Sequence, residues 1–170
     1  MKEYIASTYG DHLADVYDEW FASYEDAAID ALTELAQGGR VLELGIGTGR
    51  VALPLAARGI EIYGIDASEA MVSKLRARPR GDSIRVTMGN FADVEVEGEF
   101  SLVYIVFNTF FALLKQEEQV RCFRNVAVLS QCCSASPRGR DIRDRSLCAR
   151  HEALYRRAGG ASPRGNNRAR

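Results

Sequence analysis

Residues 41–49 read Val-Leu-Glu-Leu-Gly-Ile-Gly-Thr-Gly, and no other stretch limits the fold as strongly. The apolar run from Val41 to Leu44 is too short to span much and suits a strand buried in a sheet. The alternating glycines after it mark a turn where backbone must approach a ligand closely. Arg50 to Arg58 reads as a helix that tolerates Pro54 about one turn in, and Gly59 stops it. A strand, a glycine turn and a helix start form a cradle, in which free backbone amides favour polar or anionic ligand groups.

The chain continues in the same rhythm. Ile60 to Ile65 is a second strand with Asp66 at its carboxyl end, seventeen residues past Gly49. Open α/β sheets bind ligands at the carboxyl ends of their strands, so Glu43, Gly45 and Asp66 converge on one crevice. The Asp66 carboxylate can accept from both hydroxyls of a ribose, although an acid there also suits a helix N-cap. Ser68 caps a helix carrying Met71, Val72 and Leu75. Ile84 to Met88 is a third strand ending in Gly89-Asn90-Phe91, and Phe100 to Phe107 a fourth, followed by Asn108. A last helix spans Gln116 to Leu129, with Val120, Phe123 and Ala127 sharing a face and Glu117 placed to pair with Arg121. Fourfold alternation of strand and helix predicts an α/β, Rossmann-like parallel sheet between helices.

Ahead of the cradle, Tyr9, Tyr17, Trp20, Phe21 and Tyr24 lie among acids, with Ala14, Tyr17 and Phe21 at helical spacing. This stretch is a surface helix or a lid. Ala28, Leu32 and Leu35 continue as a helix, which Gly38-Gly39 ends. Net charge divides the chain. Residues 130–170 contain ten Arg, no Lys and three acids, a net +7 against −8 for the remainder. The division predicts a domain over residues 1–129 and an irregular Arg-rich tail over 130–170. Met1-Lys2-Glu3 begins without an apolar leader and no run nears the ~18 apolar residues of a membrane span, so a cytoplasmic protein with no membrane partner is expected. Cys122, Cys132, Cys133 and Cys148 lack metal-ligand spacing, and no metal is expected.

The order of Glu43-Leu-Gly-Ile-Gly-Thr-Gly49, Gly64-Ile-Asp66, Ser68-Glu-Ala-Met71, Gly89-Asn-Phe91 and Phe100-Ser-Leu-Val-Tyr104 resembles class I S-adenosylmethionine-dependent methyltransferases over residues 10 to 129. The resemblance implies S-adenosylmethionine as cofactor. Glu43 and the backbone of Gly45 and Gly47 would hold its methionine part, with Phe107 and Asn108 facing the methionyl end. Asp66 would bind the ribose. Asn90 and the Phe91 backbone would contact adenine, with Ala67 and Met71 packed near its ring. Asn90 stands where many members have Asp, and Ser101 where Asp is common before the fourth strand. Asn108-Thr109-Phe110-Phe111 lacks the prolines of enzymes that methylate planar nitrogens, which favours a small-molecule acceptor.

The implied reaction is direct displacement at the sulfonium methyl, for which a base is optional. His12 is the candidate for one. The tail departs from the family, which continues with a fifth strand and a hairpin. Arginine without lysine and lost periodicity resemble translation in a wrong frame from near Ala127, and an intact family-like ending in no other frame of the encoding DNA would refute this. Without a fifth strand, Leu102 to Phe107 becomes a flat apolar edge inviting self-association. Asp141, Asp144 and Glu152 interrupt the tail's positive charge, which argues against a nucleic-acid arm. Two other functions compete: an inactive cofactor-binding remnant, and a nicotinamide-dependent oxidoreductase. The latter requires G-x-G-x-x-G, and Arg50 stands where its third glycine belongs.

Overall fold

The structure, a computed structural model, describes residues 4–21, 25–94 and 96–131. The chain enters through α1 (Thr8–Leu13), α2 (Tyr17–Trp20) and α3 (Asp26–Ala36) and reaches β1 (Val41–Leu44), all of whose residues are buried. There follow α4 (Ala52–Ala57), β2 (Ile62–Asp66), α5 (Glu69–Arg76), β3 (Arg85–Met88), β4 (Leu102–Tyr104) and α6 (Gln116–Gln131). The strands pair in the order β3-β2-β1-β4, every pair parallel. The register sets Glu43 of β1 between Gly64 of β2 and Tyr104 of β4. This is the expected α/β sheet.

Pleating sends successive residues of β1 to opposite layers, as a sheet covered on both faces requires. Val41 joins Ile29, Val51, Leu55, Leu75 and Ile84 on one side, and Leu42 joins Tyr63, Ile65, Phe91, Phe100 and Cys122 on the other. Gly64 is tied to this packing, because a Cβ there would collide with Ile46. Helix ends follow local chemistry. The Met71 amide donates to the Ser68 hydroxyl at 3.2 Å, which caps α5. Gly59, at φ +84°, ends α4. At the end of α3 the left-handed exit begins one residue before the glycine pair, at Gln37.

The later elements differ from the sequence expectation. Only Leu102–Tyr104 pairs as β4, because the chain turns off through Phe107, at φ 57°, into a 3₁₀ turn, Thr109–Ala112. Among the described residues, the strand at the expected edge is thus three residues long. The helix after the glycine turn is limited to Ala52–Ala57. In α6, Val120, Phe123 and Ala127 face outward, while Cys122, Val126 and Leu129 pack inward. Both stripes have helical spacing, and polar anchors select between them. Arg121 bonds Asp93 at 2.7 Å rather than pairing with Glu117, and the Asn125 amide donates to the carbonyls of Ala92 and Asp93. Ser101 fastens the start of β4, its hydroxyl lying 2.8 Å from the Ala36 carbonyl and 3.0 Å from that of Arg40. Residues 132–170, where most of the tail expectation falls, lie outside the described residues. No helix among those described is long and apolar enough to cross a membrane.

Candidate functional site

Gly45, Gly47 and Gly49 all adopt positive φ, at 72°, 56° and 76°. Their amides do not form the open cradle expected of them. Those of Gly45 and Ile46 donate to the Ile65 carbonyl, that of Gly49 to the Ile46 carbonyl and that of Gly47 to Asp66 Oδ2 at 2.8 Å. The amides are thus spent on the protein's own acceptors, and Gly45 and Gly49 serve close approach. A Cβ on Gly49 would collide with Leu75 and one on Gly45 with Thr109, whereas one on Gly47 would meet open space.

The sheet delivers two carboxylates beside this turn. Glu43 is 2% exposed and accepts from the Tyr104 hydroxyl at 2.8 Å. Burial pushes its carboxyl up to about 8 against the Tyr104 bond, with the Asp66 charge adding to the rise and Arg50 opposing it. Burial also raises Asp66, although Gly47 and Ser68 amides donate to its two oxygens and hold it down in part. The Ala67 amide adds a third donor, and the carboxylate keeps acceptor capacity for a further hydroxyl.

A crevice of about 20 Å³ lies against the turn, lined by Tyr17, Glu43, Gly45, Ile46, Gly47, Thr48, Arg50, Val51, Val106 and Thr109. Beside it opens a cavity of about 260 Å³, lined by Tyr4, Tyr9, Tyr17, Phe107, Asn108, Thr109, Phe111 and Ala112. Tyr17 and Thr109 belong to both. The Arg50 guanidinium lies 5.7 Å from the ring centres of Tyr17, Phe21 and Phe107, a cation set among three aromatic faces.

The structure brings Glu43, Gly45, Gly47 and Asp66 together at the turn. Phe107 and Asn108 line the aromatic cavity instead of the crevice, where Val106 and Thr109 take their place. Ala67 follows Asp66 in the loop and is partly buried, while Met71 is 3% exposed and lies near Gly10 of α1. Asn90 accepts the Ala92 amide at 2.9 Å, and the Phe91 ring packs in the core with its edge toward Gly45. His12 is exposed, with Nδ1 2.7 Å from the Thr8 carbonyl of its own helix, and lines neither cavity. Sequence reasoning missed Thr48, Tyr104, Thr109 and the central place of Arg50. For Arg50 a signal existed: a long cation stands where a dinucleotide turn needs a glycine.

A family profile described as "Methyltransferase domain" matches residues 41–131, more than half of the chain. The chain belongs to the methyltransferase-domain family. Among solved structures, the CcbJ methyltransferase from Streptomyces caelestis is 44% identical, with a TM-score of 0.66 over 75% of this chain and 55% of that one. A cypemycin N-terminal methyltransferase from a Streptomyces species is 32% identical over 90 residues, 53% of this chain and 37% of its own. An uncharacterized methyltransferase of Bacillus thuringiensis is 31% identical over 150 residues, 88% of this chain and 66% of its own. That alignment is long enough to reach past Gln131, into the stretch that composition sets apart. This methyltransferase-domain chain thus spans about a third to two thirds of the length of these three relatives.

Proposed function

We propose that this chain binds S-adenosylmethionine at the glycine turn and directs its methyl group to a small-molecule acceptor in the aromatic cavity. One observation carries the reading: the crevice at the turn and the aromatic cavity share Tyr17 and Thr109, so the two spaces adjoin across these side chains. The residues suit a ligand bearing positive charge. Glu43 and Asp66 are both raised by burial, and a cation beside them would return them toward ordinary carboxylate values. Glu43 would face the methionine part and Asp66 the ribose hydroxyls, with Asn90, the Phe91 backbone, Ala67 and Met71 forming the adenine end.

The bound cofactor supplies a methyl group already activated on sulfur. The acceptor's lone pair forms the new bond to that carbon as the carbon–sulfur bond breaks and its electrons return to sulfur. What remains for the chain is to orient the acceptor and keep water away, which suits a cavity with walls of tyrosine and phenylalanine. Calorimetric titration with S-adenosylmethionine and its demethylated product, against NADH and Asp66→Ala as controls, tests the cofactor site. Saturable binding of the first two, weakened in the variant, supports it, and binding of neither by folded protein refutes it. A second reading, cofactor binding without turnover, is favoured by the exposure of Phe107 (57%) and Phe111 (68%), which leaves one wall of the acceptor cavity open to solvent. A screen of small-molecule acceptors separates the two.

A further inference from the structure

We infer that residues 4–21 form a strap latched over the cofactor crevice by Asp18, and that release of this latch sets how fast the cofactor enters. The inference rests on the reading of the crevice as the S-adenosylmethionine site. Small-molecule pockets usually enclose about 300–1,000 Å³, and the crevice encloses about 20 Å³. Tyr17, contributed by the strap, is one of its walls, so movement of the strap widens the crevice on that side.

The strap has little stability of its own. Its helices are six and four residues long and neither contains a buried residue, well short of what an isolated helix needs. What holds it are ties to the body. Asp18 makes two of them with one carboxylate: Oδ1 accepts from the hydroxyl of Thr48, in the glycine turn itself, at 2.7 Å, and Oδ2 meets the Arg78 guanidinium at 2.5 Å. Asp11 accepts from Ser68 at 2.7 Å, and Gly10 lies so close to Ser68 and Met71 that a Cβ would not fit. Arg50 donates to the Phe21 carbonyl at 3.3 Å. Of these ties, Asp18 alone joins the strap to both the turn and the segment after α5. A segment held by these polar ties, an exposed Asp15–Lys74 ion pair and the ring contact of Phe21 with Phe107 opens at a lower free energy than the sheet beneath it, so these contacts control access.

The strap also carries its own reporter, since Trp20 is the one tryptophan of the chain, 64% exposed and two residues from Asp18. The test is stopped-flow mixing of the full chain with S-adenosylmethionine, followed by Trp20 fluorescence, for the native chain, Asp18→Asn and Asp18→Ala. Asn keeps an acceptor for Thr48 but loses the charge facing Arg78, and Ala removes both. The association rate constant is expected to rise roughly threefold in Asp18→Asn and roughly tenfold in Asp18→Ala. Salt is expected to speed association in the native chain more than in Asp18→Ala, because it screens the ion pair. Thr48→Val breaks the same hydrogen bond from the other side and is expected to give a similar rise should Asp18→Ala fail to fold. Unchanged or slower association in these variants overturns the latch, as does calorimetric binding with no change in Trp20 fluorescence. Absence of binding by a native chain with a cooperative melting transition overturns the cofactor reading, and the latch with it.

Discussion

Glu43 makes the site sensitive to pH through its proton. With an ordinary value of 4.5 and a folded value of about 8, the folded chain keeps a proton that the unfolded chain releases. The stability this contributes is complete below about 4.5 and is lost as pH rises to about 8. Urea unfolding across that window is expected to show falling stability in the native chain and a flatter profile in Glu43→Gln, which keeps an acceptor for Tyr104. A cationic ligand beside Glu43 lowers its pKa, so binding of S-adenosylmethionine near neutral pH is expected to release protons. Calorimetry in buffers of different ionisation enthalpy measures this, and equal heats would refute it. At Gly49, positive φ and the nearness of Leu75 act together. Gly49→Ala is expected to cost about 2–4 kcal/mol by denaturant unfolding. The three glycines were legible in the sequence because few side chains tolerate such backbone. The partners of their amides were not, since the Ile65 carbonyl belongs to a neighbouring strand.

Among the elements, those whose register is set by a continuous apolar run were legible, and β1 and β2 came out within two residues of expectation. β4 ended early for a reason outside its own composition, the 3₁₀ turn that brings Thr109 against Gly45. In α6, two apolar stripes met the same spacing rule, and Asp93 with its neighbouring carbonyls decided between them. Arg121 and Asn125 supply the anchors, but the partners that give them meaning lie outside residues 116–131. Ser101 shows how one side chain can join two elements. Ser101→Ala is expected to lower stability by about 1 kcal/mol in thermal or urea unfolding, with the site geometry unchanged. An unchanged stability would mean that the packing of Gly39 against Ser101 matters more than its hydrogen bonds.

At the scale of the molecule, the segment from Phe107 to Phe123 is rich in exposed apolar side chains among the described residues. Phe107, Phe111, Leu114, Val120 and Phe123 are all exposed, and the Phe110 ring lies 5.1 Å from that of Phe123. Such patches favour association. Sedimentation is expected to show concentration-dependent self-association that weakens in Phe123→Glu, and a monomer at every concentration would count against it. The general architecture was legible because strand and helix alternate, but the covering of this face depends on contacts between residues far apart in sequence. The order of the sheet also bears on how the chain is made. β1 can pair with β2, and β2 with β3, once Met88 has been synthesised, but the other flank of β1 waits for Tyr104, sixteen residues later. At about 5–20 residues per second this is roughly one to three seconds. During that interval the strand that becomes the centre of the protein is a bare edge on a growing chain, and the cell's chaperones have their opportunity to engage it.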